Sequence, residues 1–190
     1  IKDIVENSGY SNRSFYNYFQ DKNDLICYVF FLDLDTLIEN MIKNGEIPSS
    51  SGVEVITDER HHLKVYLRCC ESEQQHPAAN YWQGVGSFIY KKSHFYKDAF
   101  SCSDQNCLKD CLFNFYTKML KEEILLMLKG RKINPLDLDF IAEYFANSQI
   151  GNMIRWAQYG MNRFYPGTLK YNYSEFARKC MLLMVDDHIN

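Results

Sequence analysis

The first 26 residues read IKDIVENSGYSNRSFYNYFQDKNDLI (Ile1–Ile26), and their spacing decides the fold. A helical pattern covers residues 1–7, and Gly9 stands where the end of a helix favours a left-handed backbone. Ser11 is suited to cap a second short helix over about residues 12–19. Two short helices joined by a turn that contains glycine predict a helix-turn-helix.

A long third helix is predicted over about residues 23–44. Asp21 is placed to cap it, and Asp24 follows three positions later, where a carboxylate suits the positive end of the helix dipole. Gly45 and Pro48 end the helical pattern. Apolar residues spaced three and four apart form one stripe along it, namely Leu34, Leu37, Ile38, Met41 and Ile42.

The rest of the chain is also mostly helical in pattern, and alternation typical of strands is scarce. Asn134-Pro135 is a clear start signal, because Asn caps a helix and Pro is favoured at its first position. Further helices are predicted over about 59–73, 78–92, 95–100, 104–129, 135–160 and 172–187, with loops over 48–58 and 162–171. The sequence therefore predicts an all-α fold.

Composition sets limits on the class of protein. The chain has 190 residues, of which 46% are apolar and 15% aromatic, so it can bury a core. Its net charge of -3 argues against a nucleic-acid partner, because binding phosphates usually needs a basic face. Seven cysteines and no signal peptide favour reduced thiols in a cytoplasmic protein. The longest apolar run, about residues 26–32, is too short to cross a bilayer, so no membrane partner is expected.

The second short helix carries side chains suited to duplex DNA. In a helix-turn-helix this helix enters the major groove, and its N-terminal half meets the base edges. Arg13 can bind guanine through two hydrogen bonds, and Asn12 can do the same with adenine. Tyr16 and Lys22 are of types that bind phosphates. DNA binding is therefore the most specific functional hypothesis, and a purely structural helix pair is the alternative.

Residues 1–26 resemble the DNA-binding domain of the tetracycline-repressor (TetR) family. Val5, Ser8 and Tyr10 depart from the family pattern, each at a packing position. The matching positions are Gly9, Ser11, Phe15, Tyr16, Phe19, Lys22 and Leu25. The resemblance implies that eight residues face DNA, namely Lys2, Asn12, Arg13, Ser14, Tyr16, Asn17, Tyr18 and Lys22.

The resemblance also implies the domain organisation. It divides the chain into a helix-turn-helix domain at 1–32, whose first helix would precede Ile1, and a helical sensing and dimerisation domain at 33–190. The last two helices of each subunit would form a four-helix bundle between two copies. Phe88–Phe100 and Gly151–Met161 resemble one regulatory subtype common in low-GC Gram-positive bacteria, relative to which residues 45–77 look like an insertion.

A small apolar or aromatic effector is the expected ligand, because the family implies an inducer cavity. Each candidate residue could instead be plain core. Asn147 and Gln149 add amides on the penultimate helix, for a ligand, for the dimer interface or for neighbouring side chains. The candidate pocket residues are Tyr81, Trp82, Phe88, Phe115, Met119, Tyr144, Asn152 and Trp156.

No enzyme activity, cofactor or metal is expected. Gly84-Val85-Gly86 lacks the third glycine of a dinucleotide fingerprint, and the spacing of Cys102, Cys107 and Cys111 is not that of a standard zinc site. The sequence predicts a ligand-responsive repressor that binds a palindromic operator in double-stranded DNA as a homodimer. The alternatives are a DNA-binding activator controlled by a protein partner and a non-catalytic helical scaffold.

Overall fold

The computed structural model describes residues 1–46, 53–58, 63–67, 77–128, 130–161 and 173–187. These residues form eight helices and one two-stranded sheet. In chain order the elements are α1 (Lys2–Ser8), α2 (Asn12–Tyr18), α3 (Lys22–Lys43), β1 (Val53–Asp58), β2 (Leu63–Leu67), α4 (Pro77–Lys91), α5 (Ser93–Ser101), α6 (Leu108–Met127), α7 (Pro135–Gln158) and α8 (Tyr173–Asp187).

The predicted helix-turn-helix is confirmed down to its caps. Helix α1 ends at Gly9, whose φ of 74° lies in the left-handed region. The Ser11 hydroxyl oxygen accepts a hydrogen bond from the backbone N–H of Ser14 at 3.1 Å. The Asp21 carboxylate accepts one from the backbone N–H of Asp24 at 2.8 Å, and this cap begins α3.

Helix α3 runs from the helix-turn-helix into the rest of the molecule. Its buried residues are Ile26, Cys27, Phe30, Phe31, Leu34, Ile38 and Met41. Helix α4 approaches it closely at Gly84, where an added Cβ would overlap the side chain of Leu37. This glycine therefore allows the two helices to pack closely.

A β-hairpin follows α3, and it corrects the sequence prediction. The loop predicted over 48–58 is wrong for Val53–Asp58, and the helix predicted over 59–73 is wrong for Leu63–Leu67, because the two segments pair antiparallel. Val55 faces Val65 in the register, which shifts between Ile56 and Asp58. The remaining residues of those two predictions lie outside the described ranges. Strand β2 lies against α3, so the hairpin is an addition to an otherwise all-α fold.

Helices α3 to α8 share one continuous apolar core, which extends from Ile26 to Val185. Helices α6 and α7 pack directly on each other, and Ala142 and Ala146 are fully buried on α7. Lys121 and Asp139 link the same two helices through an ion pair of 2.8 Å.

The predicted later helices agree with α4 to α8 within a few residues, with one shift. Helix α6 begins at Leu108 rather than near Asp104, because the preceding turn places Asn106 at a φ of 57°. The predicted cap at Asn172 lies outside the described residues. Among the helices that the structure describes, none combines the length and apolarity needed to cross a membrane.

Candidate nucleic-acid interface and regulatory core

The side chains predicted to face DNA lie on the surface of α1, α2 and the start of α3. Seven of the eight are exposed, namely Lys2, Asn12, Arg13, Tyr16, Asn17, Tyr18 and Lys22. Ser14 is half-buried, and its hydroxyl lies 2.9 Å from that of Ser11. Ser14 thus takes part in the helix cap, and the other seven side chains are accessible to a partner.

Helix α2 is held by one aromatic side chain. Phe15 is 7% exposed, and its ring lies 5.5 Å from that of Phe19, which in turn lies 5.4 Å from the ring of Tyr28 on α3. The rings of Tyr16 and Tyr18 are 58% and 72% exposed. Because Phe15 anchors one side of α2, the polar residues on its other side are presented to solvent.

The charges of this region are nearly balanced. Residues 1–24 carry three basic and four acidic side chains. Asp21 and Asp24 both act as caps: Asp21 accepts from the N–H of Asp24, and Asp24 accepts from the N–H of Gln20 at 2.8 Å. Lys2 lies 3.9 Å from Glu6 in an exposed pair of the kind that contributes little to stability.

Three of the predicted pocket residues come together around Tyr116. The ring of Trp82 lies 5.2 Å from both Tyr81 and Tyr116, and Phe115 lies 5.0 Å from Tyr116. The hydroxyls of Tyr81 and Tyr116 are 3.3 Å apart. Burial raises the pKa of the Tyr81 phenol, and the hydrogen bond with Tyr116 partly offsets this effect. Sequence reasoning missed Tyr116, which is fully buried at the centre of this cluster.

The other predicted pocket residues are more dispersed. Phe88 packs on Phe30 with ring centroids 5.4 Å apart, and Met119 is 7% exposed within the common core. Asn152 and Trp156 are half-buried on α7. Tyr144 is 54% exposed and stacks on Phe140, so the structure does not place it in the cluster around Tyr116.

Tyr144 belongs instead to an exposed apolar stripe on α7. Leu136 and Phe140, eight and four residues before it, are 75% and 60% exposed. On α8, Leu183 is 67% exposed. Sequence reasoning did not single out Leu136 and Phe140, although their spacing of four on one helix was a usable signal. We call Leu136, Phe140 and Tyr144 the α7 stripe.

Of the cysteines that the structure describes, Cys27 and Cys107 are buried packing residues. Cys27 and Cys107 are 8% and 2% exposed. A hydrogen bond with Cys111, together with burial, raises the pKa of the Cys27 thiol, which therefore stays protonated and poorly nucleophilic. In the part of the chain that the structure describes, no group of three or more candidate ligands could hold a metal ion.

The C-terminal part of this architecture matches a known family. Residues 83–165 match a TetR family model described as a transcriptional regulator C-terminal region, and this segment includes most of α4 and all of α5 to α7. No curated protein matches the chain. The family match supports a TetR-type transcriptional regulator.

Proposed function

Starting from the family match of residues 83–165, we propose that the chain is a DNA-binding transcription regulator, which acts as a ligand-responsive repressor on a palindromic operator. The observation that carries DNA binding is the surface of α2, where Asn12, Arg13 and Asn17 are exposed while Phe15 anchors the helix. On the sequence resemblance, we also assign it to the regulatory subtype common in low-GC Gram-positive bacteria and to the cytoplasm.

In this proposal α2 is the recognition helix and lies in the major groove. Arg13 donates two hydrogen bonds to a guanine, and Asn12 or Asn17 recognises an adenine. Hydroxyl groups at Tyr16 and Tyr18 donate to phosphate oxygens. Lys2 and Lys22 complete the contact with the backbone, and Ser14 contributes mainly by supporting the cap of α2.

The α7 stripe supports a homodimer. Apolar side chains more than half exposed on one helix gain stability when a second surface covers them. In the proposed dimer α7 and α8 of two subunits form a four-helix bundle, which buries the stripe and Leu183. A two-fold dimer holds two recognition helices about one turn of DNA apart, ~34 Å, which matches the symmetry of a palindromic operator.

The aromatic cluster around Tyr116 is the best-supported place for a small apolar or aromatic effector. It offers ring faces together with two phenol hydroxyls, at Tyr81 and Tyr116. An effector changes DNA occupancy only through its different affinity for the binding and non-binding states. The proposal therefore requires that the effector favour a state in which the two recognition helices no longer fit the operator.

The same α7 stripe also favours a second candidate, a DNA-binding activator controlled by a protein partner. An exposed apolar surface is a normal docking site for another protein. In that case the stripe would be covered by the partner and not by a second copy. A non-catalytic helical scaffold remains the outcome if the full protein binds no DNA.

The test is a footprint with the full-length protein on the DNA upstream of its own gene, at low salt. We expect protection of two half-sites about one helical turn apart. Arg13→Ala should weaken binding by about 1–3 kcal/mol and relax the base preference at one position of each half-site. Lys97→Ala, at an exposed cation on α5 that is not among the predicted DNA-facing residues, is the matched control and should leave the footprint unchanged.

Three results would separate the candidates. The repressor is supported if a dimer protects the DNA and a small molecule releases that dimer from it. The second candidate is supported if a monomer protects the DNA and dimerises only when a protein partner is present. Absence of protection at every salt concentration, with a folded dimer in solution, rejects DNA binding.

A further inference from the structure

A polar junction joins α3 to the corner between α4 and α5. The Asp33 carboxylate on α3 lies 2.6 and 2.9 Å from Nζ of Lys92, and it accepts a third hydrogen bond of 2.6 Å from the hydroxyl of Tyr96. We call these three side chains the Asp33 junction. It is a directional contact in a region that is otherwise packed by apolar side chains.

The chemistry of the junction makes its geometry specific. Tyr96 is fully buried, and the Asp33 side chain is 16% exposed, while Lys92 is 48% exposed. A carboxylate that accepts three hydrogen bonds at these distances, two of them from an ammonium group, forms charge-assisted bonds, which are short and depend on angle. Apolar side chains tolerate sliding, whereas these bonds are lost when the two elements shift by about 1 Å.

The tyrosine is itself fixed in place. Its ring lies 6.0 Å from Phe30 on α3, 5.9 Å from Phe88 on α4 and 6.1 Å from Phe100 on α5. A ring packed between α3 and α4, with Phe100 of its own helix on a third side, leaves its hydroxyl little freedom. The hydrogen bond to Asp33 therefore selects one rotation of α3 about its axis. The Tyr96 hydroxyl therefore fixes the position of Asp33, and with it that of α3.

Lys92 lies at the break between α4 and α5, with φ of -110° and ψ of 36°. Its backbone N–H donates to the carbonyl of Phe88, and its carbonyl accepts from the N–H of Tyr96, both at 3.1 Å. Asp33 therefore binds both ends of the first turn of α5. Since α5 packs on α7, the junction connects α3 with the helix that carries the α7 stripe.

A second contact holds the N-terminal end of α3. The Asn23 side chain donates to the backbone carbonyl of Gln105 in the turn between α5 and α6, at 3.2 Å. Asn23 lies directly after the recognition helix and its turn. Helix α3 is thus tied to the regulatory part of the molecule at its first turn and again at Asp33, three turns later.

We propose that Asp33, held by Lys92 and Tyr96, is a positioning residue that sets the direction of α3, and with it the recognition helix, relative to α7. Its consequence for DNA rests on the proposed function, because only a DNA-binding dimer uses the separation of two recognition helices. The placement of α3 within one chain does not depend on that function.

The first experiment measures the placement of α3 against α6, the helix that packs on α7. Spin labels are introduced as noncanonical amino acids at Tyr10 and Lys118, which are both exposed, so that the seven cysteines stay in place. Asp33→Asn and Tyr96→Phe should each broaden the distance distribution between the labels by about twofold in folded protein without DNA. Glu39→Gln removes an exposed carboxylate of α3 that pairs with Lys43 of the same helix, and it should keep the wild-type distribution.

The second experiment links placement to DNA. In Asp33→Asn we expect the dissociation constant for a two-half-site operator to rise at least tenfold, while that for a single half-site changes less than twofold. A residue that only stabilises the fold would leave the full-site affinity of the folded fraction unchanged. Lys92→Met should likewise raise the dissociation constant for the two-half-site operator at least tenfold and that for a single half-site less than twofold. It provides a second variant if Asp33→Asn does not fold.

The outcomes separate the two proposals. If the wild-type protein binds no operator, the proposed function is rejected, and the label distances still decide the role of Asp33. If the distances in Asp33→Asn and Tyr96→Phe equal those of Glu39→Gln, the positioning role is rejected even where DNA binding holds. Equal weakening at full sites and half-sites also contradicts it.

Discussion

Ser11 shows how a single side chain starts α2, the proposed recognition helix. Its hydroxyl accepts from the backbone N–H of Ser14, and without it one N–H at the start of α2 loses its partner. Helix α2 has only seven residues, so little else within it compensates for the loss. Loss of this cap should therefore destabilise α2 by a measurable amount.

We therefore predict that Ser11→Ala lowers the free energy of unfolding by about 0.5–2 kcal/mol, as measured by urea denaturation. Ser87→Ala is the control, because Ser87 is an exposed residue inside α4, where alanine favours the helix. Equal stability of the two variants would show that the Ser11 cap contributes nothing to the fold.

The caps were predictable because they are local. An N-cap and the N–H it accepts from lie three residues apart, as for Ser11 with Ser14 and Asp21 with Asp24. The hydrogen bond between Tyr96 and Asp33 spans 63 positions, and no residue pattern pointed to it. Contacts at such separations depend on how whole helices pack.

At the scale of elements, the α7 stripe is the surface whose role is most open to test. Leu136, Phe140 and Tyr144 follow each other at a spacing of four, so they lie on one face of the helix. The other side of the helix is buried in the core through residues such as Ala142 and Ala146. Helix α7 is therefore apolar on two sides, which is typical of a helix between a core and an interface.

We predict that Phe140→Glu converts the proposed dimer to monomer, because a carboxylate buried in an apolar interface is strongly disfavoured. Sedimentation equilibrium measures the change in mass. Leu125→Glu, at a 46% exposed residue on α6, is the matched control and should leave the association unchanged. A Phe140→Glu protein that still sediments as a dimer would place the interface elsewhere.

The hairpin is the element that sequence reasoning missed. Residues VEV (53–55) and LKV (63–65) begin with the alternation of apolar and polar side chains that is typical of a strand, but Ile56 and Tyr66 interrupt it. Each strand is only five or six residues long, and a lone two-stranded hairpin is marginal in water. Packing of β2 against α3 supplies the support, and that contact could not be predicted from either run.

At the scale of the whole molecule, two phenols in the core make stability depend on alkaline pH. Burial raises the pKa of both Tyr81 and Tyr96, and the Asp33 carboxylate raises that of Tyr96 further. In the unfolded chain a tyrosine phenol titrates at about pH 10. Above that pH the unfolded state releases protons that the folded state keeps, so folding becomes less favourable.

The free energy of unfolding should therefore be unaffected by these groups below about pH 10 and should fall above it by up to about 1.4 kcal/mol per pH unit for each phenol. Urea denaturation from pH 8 to 11.5 measures the slope, and the double variant Tyr81→Phe/Tyr96→Phe should flatten it. Tyr90→Phe is the control, because Tyr90 is 61% exposed. An unchanged slope in the double variant would contradict the burial of these phenols.

The sequence by itself determined the helical class, the caps of α2 and α3, the bounds of most helices within a few residues, and the set of side chains offered on α2. These features follow from periodicity and from bonds between near neighbours, which the order of residues specifies directly.

Only the tertiary structure decided which predicted pocket residues meet at Tyr116, that Tyr144 lies on the surface, and that Asp33 joins α3 to α5. It also decided that residues 53–58 pair with 63–67. The physical reason is common to all four. Each depends on which face of one element packs on another, and that choice is made by the free energy of the whole core rather than by any local run of residues.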